Sequence, residues 1–316
     1  MKLSQLYDSV IKAAIEKDLR GKNFVERELL RRKQKFNTLS DKEKKGFDTE
    51  TLINPYSDTR ILFGDRSLDV KKILVGIDIE SAEIILADNI RNKDGLDLVI
   101  SHHPEGKALA GLSEVMQLQI DILAGLGIPI NVAESLTSSR IDEVARKLHS
   151  GNHNRAVDTA RLLNMPFMCA HTASDNFVAN FLQDIFDKKK PYELKDVIDI
   201  LEDIPEYEIA LQGKSGPKVL LGKETNRAGK IFVDMTGGTE GSKDLFNYLI
   251  RAGVNTIISM HLSEEHFKKA SLEHLNIIIA GHIASDTLGL NLLFDSLGKK
   301  EKFEIINCSG FTRITR

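Results

Sequence analysis

The stretch Leu96-Asp97-Leu98-Val99-Ile100-Ser101-His102-His103-Pro104 is an apolar run that ends on two adjacent histidines. It is short, Val99 and Ile100 are β-branched, and Pro104 closes it, so it reads as a buried strand. In an α/β protein such a strand delivers its last residues to the sheet edge where ligands bind. Two imidazoles buried there need hydrogen-bonding partners or a metal. Two further runs end in the same way. Pro166-Phe167-Met168-Cys169-Ala170 leads into His171-Thr172-Ala173-Ser174-Asp175, and Ile277-Ile278-Ile279-Ala280 leads into Gly281-His282-Ile283-Ala284-Ser285-Asp286. Three strand-like runs ending in His/Asp clusters carry more weight than any single histidine.

Outward from these runs, strands alternate with helices from Val70 to the C-terminus. Lys72–Asp78 reads as a strand, Ser81–Ile90 as a helix, Ser113–Leu126 as a helix and Gly127–Val132 as another strand. Helices over Glu134–Leu148 and His153–Leu163 and a strand at Phe167–His171 complete a first half. The run Lys188-Lys189-Lys190-Pro191, charged and then broken by proline, is the best internal boundary. Beyond it the spacing predicts a helix near Tyr192–Asp203, then strands at Lys230–Asp234, Thr256–Ser259, Ile277–Ala280 and Phe303–Cys308. Helices are predicted over Asp244–Ala252 and after Ser285. The expected fold is α/β, with two α/β halves of mostly parallel or mixed sheets flanked by helices. Residues 1–55 differ. Leu3, Leu6, Val10, Ile11 and Ala14 fall at helical spacing, and Ser40-Asp41-Lys42-Glu43 has the spacing of a capping box. The predicted organisation is therefore a helical extension (1–55), a first α/β half (56–187) and a second (188–316).

Composition bounds the function classes. The 316 residues are 41% hydrophobic and 28% charged, which is ordinary for a globular protein with a sizeable core. A net charge of −3 argues against a polyanion-binding protein, and the basic segment Arg20–Lys45 interleaves its cations with Glu26, Glu28, Asp41 and Glu43. Nucleic acid is therefore not the expected partner. Cys169 and Cys308 are the two cysteines, so no disulfide framework is expected. With no signal-peptide pattern and no spanning apolar run, a cytoplasmic location is expected and a membrane is not.

His282 and Asp286 are four residues apart where a helix should begin, which places both on one face. From there they can hold one ion, or reach two ions about 3.5–4 Å apart. The simpler reading makes Asp286 an N-terminal helix acid, and the sequence leaves both open. His102 and His103 can serve one centre only where the backbone departs from strand geometry, which Pro104 eases; otherwise they are a hydrogen-bonded pair. Asp175, four after His171, has the same two readings, and His171 can be a ligand or can orient one from behind. Asp234-Met235-Thr236-Gly237-Gly238-Thr239-Glu240-Gly241 links a strand to a helix. Gly237, Gly238 and Gly241 are candidates for cradling a phosphate, although a tight turn is the commoner use of such a loop. His261, His266 and His274 read as surface or supporting residues.

With its three clusters in order, the chain resembles the Nif-three-like family, labelled type 2 homologues of GTP cyclohydrolase I. The matching motifs are Ser-His-His-Pro at 101–104, His-Thr-x-x-Asp at 171–175 and Gly-His-x-x-x-Asp at 281–286. The resemblance implies that His102, His103, Asp175, His282 and Asp286 ligate two divalent ions per chain, of Zn, Fe, Mn, Co or Ni. It also implies a two-part α/β fold and a homo-oligomer, a toroidal hexamer in many members. The family's last ligand is usually glutamate, where this chain has Asp286, and after the double histidine Glu105 replaces the usual apolar residue. Glu105 and His171 are the candidates for proton transfer. The expected activity is that of a metal-dependent hydrolase, of cyclohydrolase or phosphoesterase type, acting on a small nucleotide or phosphoester. The alternative is a metal-binding regulatory or interaction protein without catalysis.

Overall fold

The computed structural model describes residues 1–299 and 301–316. Helix α1 (Leu3–Lys17) turns Leu3, Leu6, Tyr7, Val10, Ile11 and Ala14 inward, and all six are buried. They join the core beneath the first sheet, against Ile73 and Val75 and against Leu290 and Phe294 near the C-terminus. Burial of this kind stabilises by roughly 1.5–3 kcal/mol per large side chain, so α1 is a wall of the core. Helix α2 (Lys22–Thr38) is different: Val25 is its one buried residue, and its Lys/Arg-rich surface faces solvent. The expected capping box is present and starts α3 (Asp41–Gly46). The Ser40 amide donates to Glu43 at 2.8 Å and the Ser40 hydroxyl accepts from the Glu43 amide at 3.4 Å.

The first sheet follows. Its strands are β1 (Thr59–Phe63), β2 (Lys72–Gly76), β3 (Leu98–Ser101) and β4 (Phe167–Ala170). Between them run α4 (Ser81–Asp94), α5 (Gly106–Ala110), α6 (Leu112–Val115), α7 (Gln117–Leu126), α8 (Ile130–His149) and α9 (Arg155–Leu162). Helix α10 (Thr172–Lys189) then crosses to α11 (Leu194–Glu202) and α12 (Pro205–Gln212). The second sheet comprises β5 (Lys218–Leu221), β6 (Lys230–Asp234), β7 (Val254–Ser259) and β8 (Asn276–Ile279), with α13 (Phe246–Arg251) and α14 (Glu264–Leu272) between them. Helix α15 (His282–Gly298) closes this part, and β9 (Glu304–Cys308) returns to pair in parallel with β2 of the first sheet. The strand orders are β1-β4-β3-β2-β9 and β5-β8-β7-β6. In each sheet the central strands are parallel, and one edge strand, β1 or β5, runs antiparallel to its neighbour. The mixed α/β architecture expected from the alternation is borne out.

Several local expectations are corrected. No strand forms at Gly127–Val132. Gly127 takes φ +107° to end α7, and Pro129 stands at the start of α8, where its missing N–H and fixed φ suit a first helical turn. The helix expected over Ser113–Leu126 is divided at Met116 into α6 and α7. The edge strands β1 and β5 and the short α12 were not expected. Among the described residues no helix is long and apolar enough to cross a membrane.

Candidate metal centre

Strand β3 ends at Ser101, and the next two amides still follow the edge of the neighbouring chain. His102 N–H donates to the Gly76 carbonyl at 2.9 Å and His103 N–H to that of Ile77 at 3.0 Å. Past the strand end the backbone frees both imidazoles to turn the same way, and their ring centres lie 5.2 Å apart. This is the departure from strand geometry that one shared centre demands. His171 lies 4.9 Å from His102 by ring centre, and His282 lies 5.2 Å from His103. Four histidines from three strand ends thus converge, with Asp175 and Asp286 each one helical turn beyond their own histidine.

The outer nitrogen of three imidazoles is already held. His102 Nδ1 lies 2.9 Å from Ser174 Oγ, whose own hydroxyl donates to a backbone carbonyl, that of Ala170 (2.7 Å) or His171 (2.9 Å). The serine must therefore accept, so His102 carries its proton on Nδ1 and directs the Nε2 lone pair into the cluster. His103 Nδ1 donates to Asp78 at 2.6 Å and His171 Nδ1 to Asp58 at 2.8 Å. Partners of this kind fix ring orientation and tautomer for ligation. Asp58, fully buried, also accepts from the Thr172 hydroxyl at 2.6 Å.

The carboxylates face the inward nitrogens. Asp286 Oδ1 is 3.3 Å from His102 Nε2, and its Oδ2 is 3.5 Å from both His103 Nε2 and His282 Nε2. Asp175 Oδ1 is 3.4 Å from His102 Nε2. Bonds of about 2.0–2.2 Å around a tetrahedral ion set neighbouring ligand atoms roughly 3.3–3.6 Å apart, the spacing seen here. Asp175 Oδ1 and both Asp286 oxygens are buried with no hydrogen-bond partner. Bare buried carboxylate oxygens are costly unless a cation or donor meets them. Three overlapping sets of residues could hold an ion: His102/His103/His171, His103/His282/Asp286 and His102/Asp175/Asp286.

Burial and neighbouring charge set the members of the cluster apart, with His102 and Asp286 held in the forms that ligate a cation. Burial lowers the His102 pKa to about 4, which keeps the imidazole neutral. Burial works against the charged form of Asp286 too, yet His102 and the neighbouring imidazoles outweigh it and hold its pKa below the usual value. Burial opposes an imidazolium at His171, but Asp175 and Asp58 prevail and push its pKa up to about 9. Burial also drives Asp175 well above the ordinary carboxylate range.

Glu105 does not join the cluster. It stands at the N-terminal end of α5 without a side-chain capping hydrogen bond, and burial pushes its pKa up to about 7. The glycine loop packs against α6, α7 and α14: the Gly237 carbonyl accepts from Gln119 of α7 at 2.8 Å, and the Gly241 carbonyl from His266 Nε2 of α14 at 3.0 Å. Gly237 and Gly238 have φ +97° and +88°, and a β-carbon there would meet Gln119 at 2.7 Å and Val115 at 2.8 Å. Close approach to these helices accounts for both glycines. The sequence reading did not single out Asp58, Asp78 or Ser174. His261, read as a surface or supporting residue, stands beside the cluster: its ring lies 4.8 Å from that of His282 and its Nδ1 lies 3.3 Å from Glu240.

No protein-family profile matches the sequence, and no curated protein matches it. Among solved structures, the chain is similar to a NIF3 superfamily protein from Sphaerobacter thermophilus, at 28% identity and a TM-score of 0.70. That match covers 80% of this chain and 91% of the other. It is also similar to reduced HcgD from Methanocaldococcus jannaschii, at 17% identity and a TM-score of 0.47, over 79% and 88% of the two chains. The resemblance carried by the three motifs is borne out.

Proposed function

We propose that this chain, which has the NIF3-superfamily fold, is a dinuclear metal-dependent hydrolase-like protein acting on a nucleotide or phosphoester. The observation that carries the reading is the set of unpartnered, buried oxygens of Asp175 and Asp286 among imidazoles whose outer nitrogens are already held. His102, His103, Asp175, His282 and Asp286 would hold two divalent ions, with Asp286 shared because its two oxygens face different histidines. Such a pair of ions supplies Lewis acidity and an activated water. The chain's own part is to orient and to carry a proton. Asp58 holds the His171 ring through Nδ1, leaving Nε2 directed at Asp175, 4.0 Å from Oδ2, where it can retain a proton beside the reacting group. Ser174 and Asp78 lock His102 and His103 in the tautomer that presents Nε2.

The test is elemental analysis of untagged protein purified without added metal, followed by an activity screen of phosphoesters and nucleotides. Close to two ions per chain and hydrolysis that a chelator abolishes are expected. A chain that takes up no transition metal overturns the proposal. A homo-oligomer, hexameric by the family resemblance, belongs to the same reading and is tested by light scattering of the full chain.

A further inference from the structure

A cavity of ≈ 320 Å³ opens on the histidine cluster and runs along the C-terminal ends of β6 and β7. Its walls are largely apolar, with Phe232, Phe246, Leu249 and Met260 among them, and no lysine or arginine is among its lining residues. A polyphosphate would find no lysine or arginine there, and the His261 imidazole, whose pKa the neighbouring Glu240 raises, is already paired with that carboxylate. Away from that centre the cavity presents two carboxylates of different standing. Glu240 is engaged: it accepts from the Ser263 amide at 2.7 Å and lies 3.3 and 3.4 Å from the Nδ1 atoms of His261 and His266. The side chain of Asp234, the last residue of β6, makes no hydrogen bond or ion pair among the described residues. Burial, with Glu240 adding to it, pushes its pKa up to about 6 against the opposing pull of His266 and His261.

Register fixes how far Asp234 stands from the cluster. It is opposite Ser259 of β7, and the Ser259 carbonyl accepts from the Ala280 amide at 2.9 Å, two residues before His282. Neighbouring strands lie about 4.7–4.9 Å apart, so Asp234 is two strand spacings, roughly 10 Å, across the cavity mouth from the strand that delivers His282. A carboxylate in an apolar pocket repels anions and is satisfied by N–H donors.

We propose that the cavity binds a small substrate with an apolar body and a terminal N–H donor, and that Asp234 holds this donor while the reacting group lies at the histidine cluster. The reacting end rests on the metal-centre reading, whereas the donor end does not. The substrate class is then a compact ester of an amine or amino-heterocycle with at most one anionic group, and nucleoside triphosphates are disfavoured.

The test uses the full chain loaded with zinc and benzylphosphonates that differ only at the para position, which carries aminomethyl, methyl or carboxyl. A phosphonate bearing 2-aminopyridine separates a neutral heterocyclic donor from an ammonium. In calorimetric titrations the aminomethyl compound is expected to bind about tenfold more tightly than the methyl compound, as a charge-assisted hydrogen bond requires, and the carboxyl compound most weakly. Asp234→Asn, which keeps the shape, is expected to bring amine and methyl within about threefold of each other and to leave zinc uptake unchanged. Equal affinities in the parent chain, or an amine preference that survives Asp234→Asn, would overturn the proposal. If zinc fails to bind, the metal-centre reading falls alone. The ratio of amine to methyl affinity is then measured on the zinc-free chain with the same ligands at higher concentration, and it decides on Asp234 by the same criterion.

Discussion

Gly289→Ala perturbs the candidate metal centre from behind, and the structure sets the scale of the effect. Gly289 lies on α15 where that helix crosses α10, and a β-carbon there would stand 2.6 Å from the Ser174 carbonyl oxygen. Ordinary contact begins near 3.4 Å, so the helices must separate by about 0.8 Å at the crossing or bend around it. Each helix carries one carboxylate of the cluster, Asp175 on α10 and Asp286 on α15, and Ser174 itself holds His102. Metal–ligand distances tolerate only about 0.2 Å, so the expected loss is about 10- to 100-fold in zinc affinity, the range seen when supporting groups are removed. Two opposing terms set the stability. Alanine in place of glycine inside a helix favours folding by roughly 1 kcal/mol, while overpacking costs about 1–3 kcal/mol. Because the obstructing atom is backbone, overpacking should win. Gly125→Ala on α7 is the control: nothing lies within 4 Å of its β-carbon position, so only the favourable term applies. Thermal melts and zinc titrations of both variants are the assay. A Gly289→Ala chain that melts as high as Gly125→Ala and binds zinc like the parent would refute the reasoning.

Asp286→Asn should cost at least one ion its place, since it removes the charge that faces three histidines, and elemental analysis after dialysis reads this directly. Asp286→Glu should retain zinc, because the carboxylate is kept on the helix face it shares with His282. Asp234 titrates near 6 in the folded chain against 3.8 for a free side chain, so it removes stability as pH rises from about 4 to about 6. The melting temperature of Asp234→Asn relative to the parent should therefore climb through that window and level off above it; a constant difference from pH 4 to pH 7 would deny the shift. Leu6→Ala, at a fully buried position of α1, should cost about 2–5 kcal/mol in denaturant unfolding. A loss under about 0.5 kcal/mol would mean that α1 is an appendage after all.

What the sequence made legible follows from how local each signal is. The β3 strand and its double histidine, the three strand-end clusters and the Ser40 capping box are all written within a few consecutive residues, and each is present. The strand expected at Gly127–Val132 failed because Ile128, Ile130 and Val132 alternate like a strand, while Pro129 favours a helix start; of the three, only Ile128 is buried. The edge strands β1 and β5 have one neighbour each and half-buried, irregular patterns, so period-2 reading has little to grip. Asp58 and Asp78 were unreadable for another reason. Asp58 meets His171 across 113 residues of chain and Asp78 meets His103 across 25, and no spacing rule reaches that far.

One signal was in the sequence at short range and needed the fold to give it meaning. The segments His171-Thr172-Ala173-Ser174-Asp175 and His282-Ile283-Ala284-Ser285-Asp286 share four of five residues. Each follows the strand that pairs with an antiparallel edge, and the four-strand orders β1-β4-β3-β2 and β5-β8-β7-β6 are the same. Each serine bonds back one turn, Ser174 to the Ala170 carbonyl at 2.7 Å and Ser285 to that of Gly281 at 2.6 Å. The two halves are therefore copies of one pattern that meet along α10 and α15, and their Asp175 and Asp286 carboxylates face a common centre. The copies have diverged in what else they hold. Ser174 fixes His102, whereas Ser285 meets the Tyr207 hydroxyl at 2.9 Å. His171 is tied back to Asp58, whereas His282 is left facing His103. The double histidine at the end of β3 is matched by a single one at the end of β7, where Ser259-Met260-His261 puts methionine in place of His102. A paired scaffold thus gives one site with two unlike sides: the first half supplies the imidazole-rich face, and the second leaves an open cavity ending at Asp234.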